Sequence, residues 1–242
     1  LQQRRIAMWS GPRNISTAMM RSWGSRSDTT VIDEPFYAHY LEYTGYDHPS
    51  ADKVIATYET NWRVIADSLI GEIPNGKLLY FQKHMTHHML DHIAKDWMLE
   101  LTNCFLIRDP RRMIISFAKV IPNPKVHQMG LSQQIDIFNY IHEKTGKVPP
   151  VIASKDVLLD PQGTLSKLCE AIGVSFDPAM LQWEAGRRKT DGVWAEHWYA
   201  SLEKSTEFMA YREDNTPLPE HLKQLYDECL PMYEHMAQYC IR

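Results

Sequence analysis

The stretch from Arg5 to Trp23 constrains this chain most, because its periodicity changes within a few residues. Ile6 to Trp9 form a continuous apolar run, the pattern of a short parallel strand covered on both faces. Ser10-Gly11-Pro12 ends the run, since glycine tolerates unusual dihedrals and proline fixes its own. Ile15, Met19 and Trp23 then recur at four-residue spacing, which gives a helix one apolar stripe. Arg13, Asn14, Ser16 and Thr17 are left at the turn between strand and helix. A helix N-terminus carries free N–H groups and the positive end of the dipole, so this turn is a candidate anion site. A capped turn with an incidental arginine is the plainer alternative.

A length of 242 residues suits one large α/β domain spanning 1–242. The net charge of −4 gives no general reason to expect nucleic acid or an anionic membrane as partner, so any basic site must be local. No apolar run reaches membrane-spanning length, and the N-terminus lacks a signal-peptide core. Cys104, Cys169, Cys229 and Cys240 are scattered, without metal-ligand spacing, so no metal site is expected. They read as reduced thiols of a cytoplasmic protein.

Further strands are expected at Thr29–Ile32, Leu78–Phe81, Phe105–Ile107 and Val151–Ala153. Residues 38–50 read as a loop, Asp52 to Ile70 as one amphipathic helix, and Leu90, Ile93 and Trp97 as the stripe of another. Asp109-Pro110 and Asp160-Pro161 are helix starts, with aspartate as cap and proline at the first helical position. Strands alternating with helices predict a single-domain, three-layer α/β P-loop fold, its mainly parallel central sheet flanked by helices.

In such sheets ligands lie beyond the carboxyl ends of the strands. Arg13, Glu34, Lys83 with His84, and Arg108 follow four successive strands. A nucleotide kinase or hydrolase would need G-x-x-x-x-G-K-[ST] in the first loop, its lysine on the phosphates and its hydroxyl on magnesium. Counted from Gly11, the Gly-Lys-[ST] triplet falls on Ser16-Thr17-Ala18. The lysine is absent and the metal-ligand position is alanine.

Ser10-Gly11-Pro12-Arg13-Asn14-Ile15-Ser16-Thr17 resembles the 5′-phosphosulfate loop of sulfotransferases that use 3′-phosphoadenosine 5′-phosphosulfate (PAPS). Phe105 to Phe117, with Arg108 and Ser116 eight residues apart, resembles that family's 3′-phosphate motif. Ile152 to Gly173 is similar to a following segment, and Arg187-Arg188-Lys189 through Trp194 is similar, more loosely, to the late basic segment that closes over the cofactor. The resemblance implies transfer of a sulfuryl group from PAPS to a hydroxyl or amine of a small-molecule acceptor, leaving 3′,5′-bisphosphoadenosine. It implies a cofactor site of Arg13, Asn14, Ile15, Ser16, Thr17, Arg108, Ser116, Arg187 and Arg188. Arg13 would neutralise the leaving phosphate oxygen. Glu34 is the first candidate base and His84 the second, because Met85 stands where the cytosolic type has its histidine. The remaining histidines read as helix-surface residues and Trp183, Trp194 and Trp198 as packing. Residues 36–62 and 122–145 are the expected acceptor walls. A P-loop kinase or hydrolase, or a non-catalytic nucleotide-binding protein of the same fold, are the alternatives.

Overall fold

Successive side chains of the first strand, β1 (Arg4–Ser10), enter different cores. Ile6 and Met8 pack with Met19, Met20 and Trp23 on one face, and Ala7 and Trp9 pack with Phe105, Ile137 and Phe138 on the other. A strand alternates its side chains at period two, so a run apolar at every position needs cover on both sides. That cover makes three layers. The computed structural model that shows them describes residues 2–200 and 202–241.

After β1 come α1 (Ser16–Gly24), β2 (Thr29–Asp33), α2 (Tyr37–Thr44), α3 (Ala51–Thr57) and α4 (Trp62–Ile70). Then follow β3 (Leu79–Met85), β4 (Thr102–Ile107), α5 (Pro110–Ala118), α6 (Leu131–Thr145) and β5 (Val151–Ala153). The chain ends with α7 (Ser154–Leu159), α8 (Pro161–Ala171), α9 (Ala195–Trp198) and α10 (Lys223–Ala237). The strands form one parallel sheet in the order β2-β3-β1-β4-β5. Side chains of α1 and α8 cover one face, and those of α4, α6 and α10 the other. From β1 the chain moves outward to β2, returns to β3 and crosses β1 to reach β4. The strand order therefore reverses at β1, and the carboxyl ends of β1 and β4 flank the crevice where such sheets bind ligands.

The expected parallel α/β architecture is present, with three local differences. Residues 37–44 form α2 instead of a loop, stopped by Gly45 at a φ of 66° in the left-handed region that glycine enters freely. The helix expected over 52–70 is broken in two. Tyr58 is extended, and the Asn61 side chain accepts a hydrogen bond from the Arg63 N–H to cap a new start. β3 continues to Met85, beyond the expected end at Phe81, and no α-helix lies between it and β4. Leu90, Ile93 and Trp97 do pack on one core, but from irregular chain and 3₁₀ turns. Their spacing recorded burial, not helical periodicity.

One buried ion pair ties the stretch around Asp191 to α1. Arg21 donates to both carboxylate oxygens of Asp191 at 2.6 Å, with side chains only 3% and 0% exposed. Removing one partner strands the other charge in the interior. Asp191→Ala is therefore expected to lower stability by about 3–5 kcal/mol in urea unfolding. An unchanged midpoint would show that the pair does not anchor this segment.

Candidate functional site

A cavity of about 350 Å³ opens at the carboxyl ends of β1, β2, β3 and β4. Its floor is the turn after β1. Gly11 permits that turn because a Cβ there would lie 2.6 Å from both Met113 Cε and the Met129 carbonyl oxygen. Asn14 ties the turn to β4. Its Nδ2 donates to the Leu106 carbonyl at 3.1 Å, and its Oδ1 accepts from the Ile15 N–H at 2.8 Å. No side chain caps α1, so the N–H groups of its first turn remain available beside the cavity wall formed by Asn14 to Ala18.

Arg13 sits at a φ of 54°, a region that side-chain-bearing residues seldom occupy. Several contacts hold it there. Its carbonyl accepts from Arg108 Nη1, and its own Nε donates to Ser116 Oγ at 3.0 Å. The guanidinium carbon lies 5.6 Å from the centre of the Trp198 ring. Arg108 follows β4 and Ser116 lies on α5, so the fold brings Arg13 to two residues about a hundred positions along the chain. Burial lowers the pKa of Arg13. Burial, then Arg112 and Arg13, push that of Arg108 down to about 10. Neither guanidinium has a carboxylate ion-pair partner among the described residues. Two adjacent cations in a half-dry crevice are the electrostatic complement of an anion.

Glu34, one residue past β2, also lies in the left-handed region, at a φ of 45°. Its carboxylate meets Lys83, which is 1% exposed. Lys83 Nζ donates to Glu34 Oε1 at 2.6 Å, Asp33 Oδ1 at 2.8 Å and the Tyr199 hydroxyl at 2.6 Å. Burial opposes the ammonium, but Asp33 and Glu34 overcome it and hold the Lys83 pKa above its usual value. Burial raises the Glu34 pKa, with Lys83 opposing and Asp33 reinforcing. The Tyr199 hydroxyl is within 2.8 and 2.9 Å of the Asp33 oxygens and accepts from Trp194 Nε1 at 3.2 Å. A carboxylate with a raised pKa, fixed in a cavity wall, is suited to receive a proton.

The structure brings Arg13, Asn14, Ile15, Ser16, Thr17, Glu34, Arg108 and Ser116 around one cavity. It does not bring His84 there. Within β3, Lys83 and Met85 line the cavity, and the intervening His84 points to the opposite face. There it stacks on Trp9 with centroids 4.3 Å apart, and its Nε2 lies 3.1 Å from Gln82 Oε1. Arg187 and Arg188 are also absent from the wall. Arg187 reaches the Gly192 carbonyl and Arg188 the Glu184 carbonyl, so both serve the loop's own conformation. No residue of 122–145 lines the cavity. α6 instead packs on the sheet, with Gln134 donating to the Trp9 and Leu106 carbonyls.

Tyr37 and His48, which line the cavity, lie within the expected wall of residues 36–62, whereas sequence reasoning missed His87, His88, Trp198 and Tyr199, which line it too. His87 and His88 are buried, not on a helix surface. Continuing the alternation of β3 through Met85 would have located the histidine turn beside the cavity. Nothing near Tyr199 in the sequence points to Lys83.

A family model described as "Sulfotransferase domain" matches residues 4–240. Two Arabidopsis thaliana proteins, branched-chain-amino-acid aminotransferase-like proteins 1 and 2, are each 35% identical to this chain over 229 residues. The match covers 94% of this chain but 40% of each relative, so the chain spans well under half their length. Among solved structures, a sulfotransferase from Alicyclobacillus acidocaldarius aligns with a TM-score of 0.52 at 10% identity, covering 100% of this chain and 98% of its own. The sulfotransferase domain of the Synechococcus PCC 7002 olefin synthase aligns with a TM-score of 0.50 at 14% identity, covering 94% and 95%. At these identities the structural likeness bears on the fold alone.

The buried histidines give the folded chain a pH dependence. Burial pushes both His84 and His87 down to about 3, and for His87 the neighbouring His48 adds to the effect. An unfolded chain, with histidines near 6.5, takes up protons that the folded one refuses. Their contribution is complete above a pH of about 6.5 and is lost progressively toward about 3. The urea midpoint should fall across that window, and His84→Gln or His87→Gln should flatten the fall. A midpoint that stays level would contradict neutral burial.

Proposed function

The chain belongs to the sulfotransferase domain family, and on that premise we propose that its cavity binds PAPS and directs the sulfuryl group to a small-molecule hydroxyl or amine. The observation that carries this reading is the pair of half-buried guanidiniums, Arg13 and Arg108, set beside the open N-terminus of α1 without carboxylate ion-pair partners among the described residues. The donor carries a sulfuryl group on its 5′-phosphate and a second phosphate at the 3′ position. The N–H groups and hydroxyls of Ser16 and Thr17, with Arg13, suit the 5′-phosphate. Arg108 and Ser116 suit the 3′-phosphate, which adenosine triphosphate lacks.

Arg13 is held by Ser116, Trp198 and Arg108 before any ligand arrives, so it needs no reorganisation to neutralise charge developing on a leaving oxygen. Such fixed cations can stand in for magnesium, whose hydroxyl ligand in a kinase-type loop is Ala18 here. Glu34 is the residue placed to take the acceptor's proton. Lys83 and Tyr199 orient its carboxylate, and burial makes it a stronger base than an exposed glutamate. Reduced thiols at Cys104, Cys169 and Cys229, all buried, support a cytoplasmic setting. No described helix is long and apolar enough to cross a membrane.

Bisphosphoadenosine should raise the melting temperature without magnesium, and Arg108→Ala should abolish most of the shift. Arg13→Ala should reduce release of bisphosphoadenosine from PAPS by about 10²–10³-fold while weakening bisphosphoadenosine binding far less. Magnesium-dependent adenosine triphosphate turnover with no response to bisphosphoadenosine would favour the kinase or hydrolase reading. Binding without transfer, unaffected by Arg13→Ala, would favour a non-catalytic nucleotide-binding role.

A further inference from the structure

The cavity wall contains two groups of side chains with different chemistry. One is Arg13, Arg108 and Ser116, joined by hydrogen bonds. The other is Tyr37, His48, His87, His88 and Trp198, joined mainly by ring contacts. Tyr37 stacks on His88 with centroids 4.8 Å apart and 5° between planes, and its hydroxyl lies 2.9 Å from His48 Nδ1. His87 meets His88 at 4.3 Å, and His48 faces Trp198 at 6.4 Å. The groups adjoin where the Arg13 guanidinium lies over Trp198. Whatever rests on the aromatic group is therefore next to the cation assigned to the transferred sulfuryl group.

This second group has no cation to offer. The nearby ammonium, Lys83, is already engaged by Asp33 and Glu34 at 2.8 and 2.6 Å. Burial keeps His48, His87 and His88 below the usual histidine pKa. The same residues have unmet hydrogen-bonding capacity. His48 Nε2, His87 Nδ1 and His88 Nδ1 are buried without a partner, in side chains 5%, 5% and 2% exposed. Neutral imidazoles donate and accept, and flat rings favour an apolar or aromatic body. With the donor engaging Arg13, a carboxylate or phosphate placed there would be a buried charge with no counter-ion.

We propose that Tyr37, His48, His87, His88 and Trp198 form the acceptor subsite, and that it takes a hydroxyl or amine acceptor carrying no anionic group. This rests on the reading of the cavity as a sulfuryl-transfer site. The wall selects by charge exclusion: its rings bind the acceptor body, its imidazoles hydrogen-bond neutral groups, and Glu34 faces the nucleophile.

Three probes with one skeleton test it: tyrosol, tyramine and para-hydroxyphenylacetate, which end in a hydroxyl, an ammonium and a carboxylate. Binding is measured calorimetrically with and without saturating bisphosphoadenosine. Tyrosol and tyramine should each bind at least about tenfold more tightly than the carboxylate. His88→Arg should supply the missing counter-ion and reverse the order of tyrosol and para-hydroxyphenylacetate. If that variant fails to fold, His48→Arg tests the same reversal, and the wild-type ranking stands without either. A carboxylate probe that binds as well as tyrosol, or no saturable binding by any of the three, overturns the proposal. Failure of bisphosphoadenosine itself to bind strikes the phosphate-loop reading instead, and the ranking in an Arg13→Ala variant, where that guanidinium cannot pair with the carboxylate probe, then decides the subsite.

Discussion

An ammonium 1% exposed at the end of a central strand can stay charged only if its surroundings supply the countercharge that water would. Lys83 obtains it from Asp33 and Glu34, and the Tyr199 hydroxyl takes a third hydrogen bond. This arrangement fixes the relative positions of β2, β3 and the residue just after α9. Asp33 also accepts from the Gly192 N–H at 3.3 Å, so the late segment that supplies Trp198 and Tyr199 is seated on the same carboxylate. The site walls are thus assembled by electrostatics, with apolar packing filling in around them.

The division of charge within the cavity follows from topology. β1 and β4 deliver arginines to the switch point, where the α1 N-terminus adds its dipole. β2 and β3 bring together Asp33, Glu34 and the lysine that pairs with both, so Lys83 is not free for a ligand. One side of the crevice therefore attracts anions and the other does not. A donor with two phosphates and an acceptor without an anionic group would favour opposite sides of such a crevice.

Much of this was legible in the sequence. Apolar runs in β1 and β4 announced strands buried on both faces, and the residues following them, Arg13 and Arg108, were found at the cavity as expected from a parallel sheet. Glu34 was readable for the same reason. His84 was not, because β3 turns polar before it ends. Gln82, Lys83 and His84 resemble a loop in composition, yet each is buried and satisfied by the fold. Arg187 and Arg188 misled because a basic run carries no record of which way it faces. Tyr199 was out of reach, since its partner Lys83 is 116 positions away and only the folded chain joins them.

Arg13 and Glu34 share a backbone conformation that would suit glycine better than either of them. The other non-glycine residues with positive φ include Asn75, of a type that tolerates it readily. A long arginine and a glutamate do not. Glycine at either place would relax the backbone, but at 13 it would remove the guanidinium that reaches Ser116 and Trp198, and at 34 it would take one of two countercharges from the buried Lys83 ammonium. At Arg13 and Glu34 the folded chain therefore couples local backbone strain to side-chain contacts at the cavity that glycine could not make.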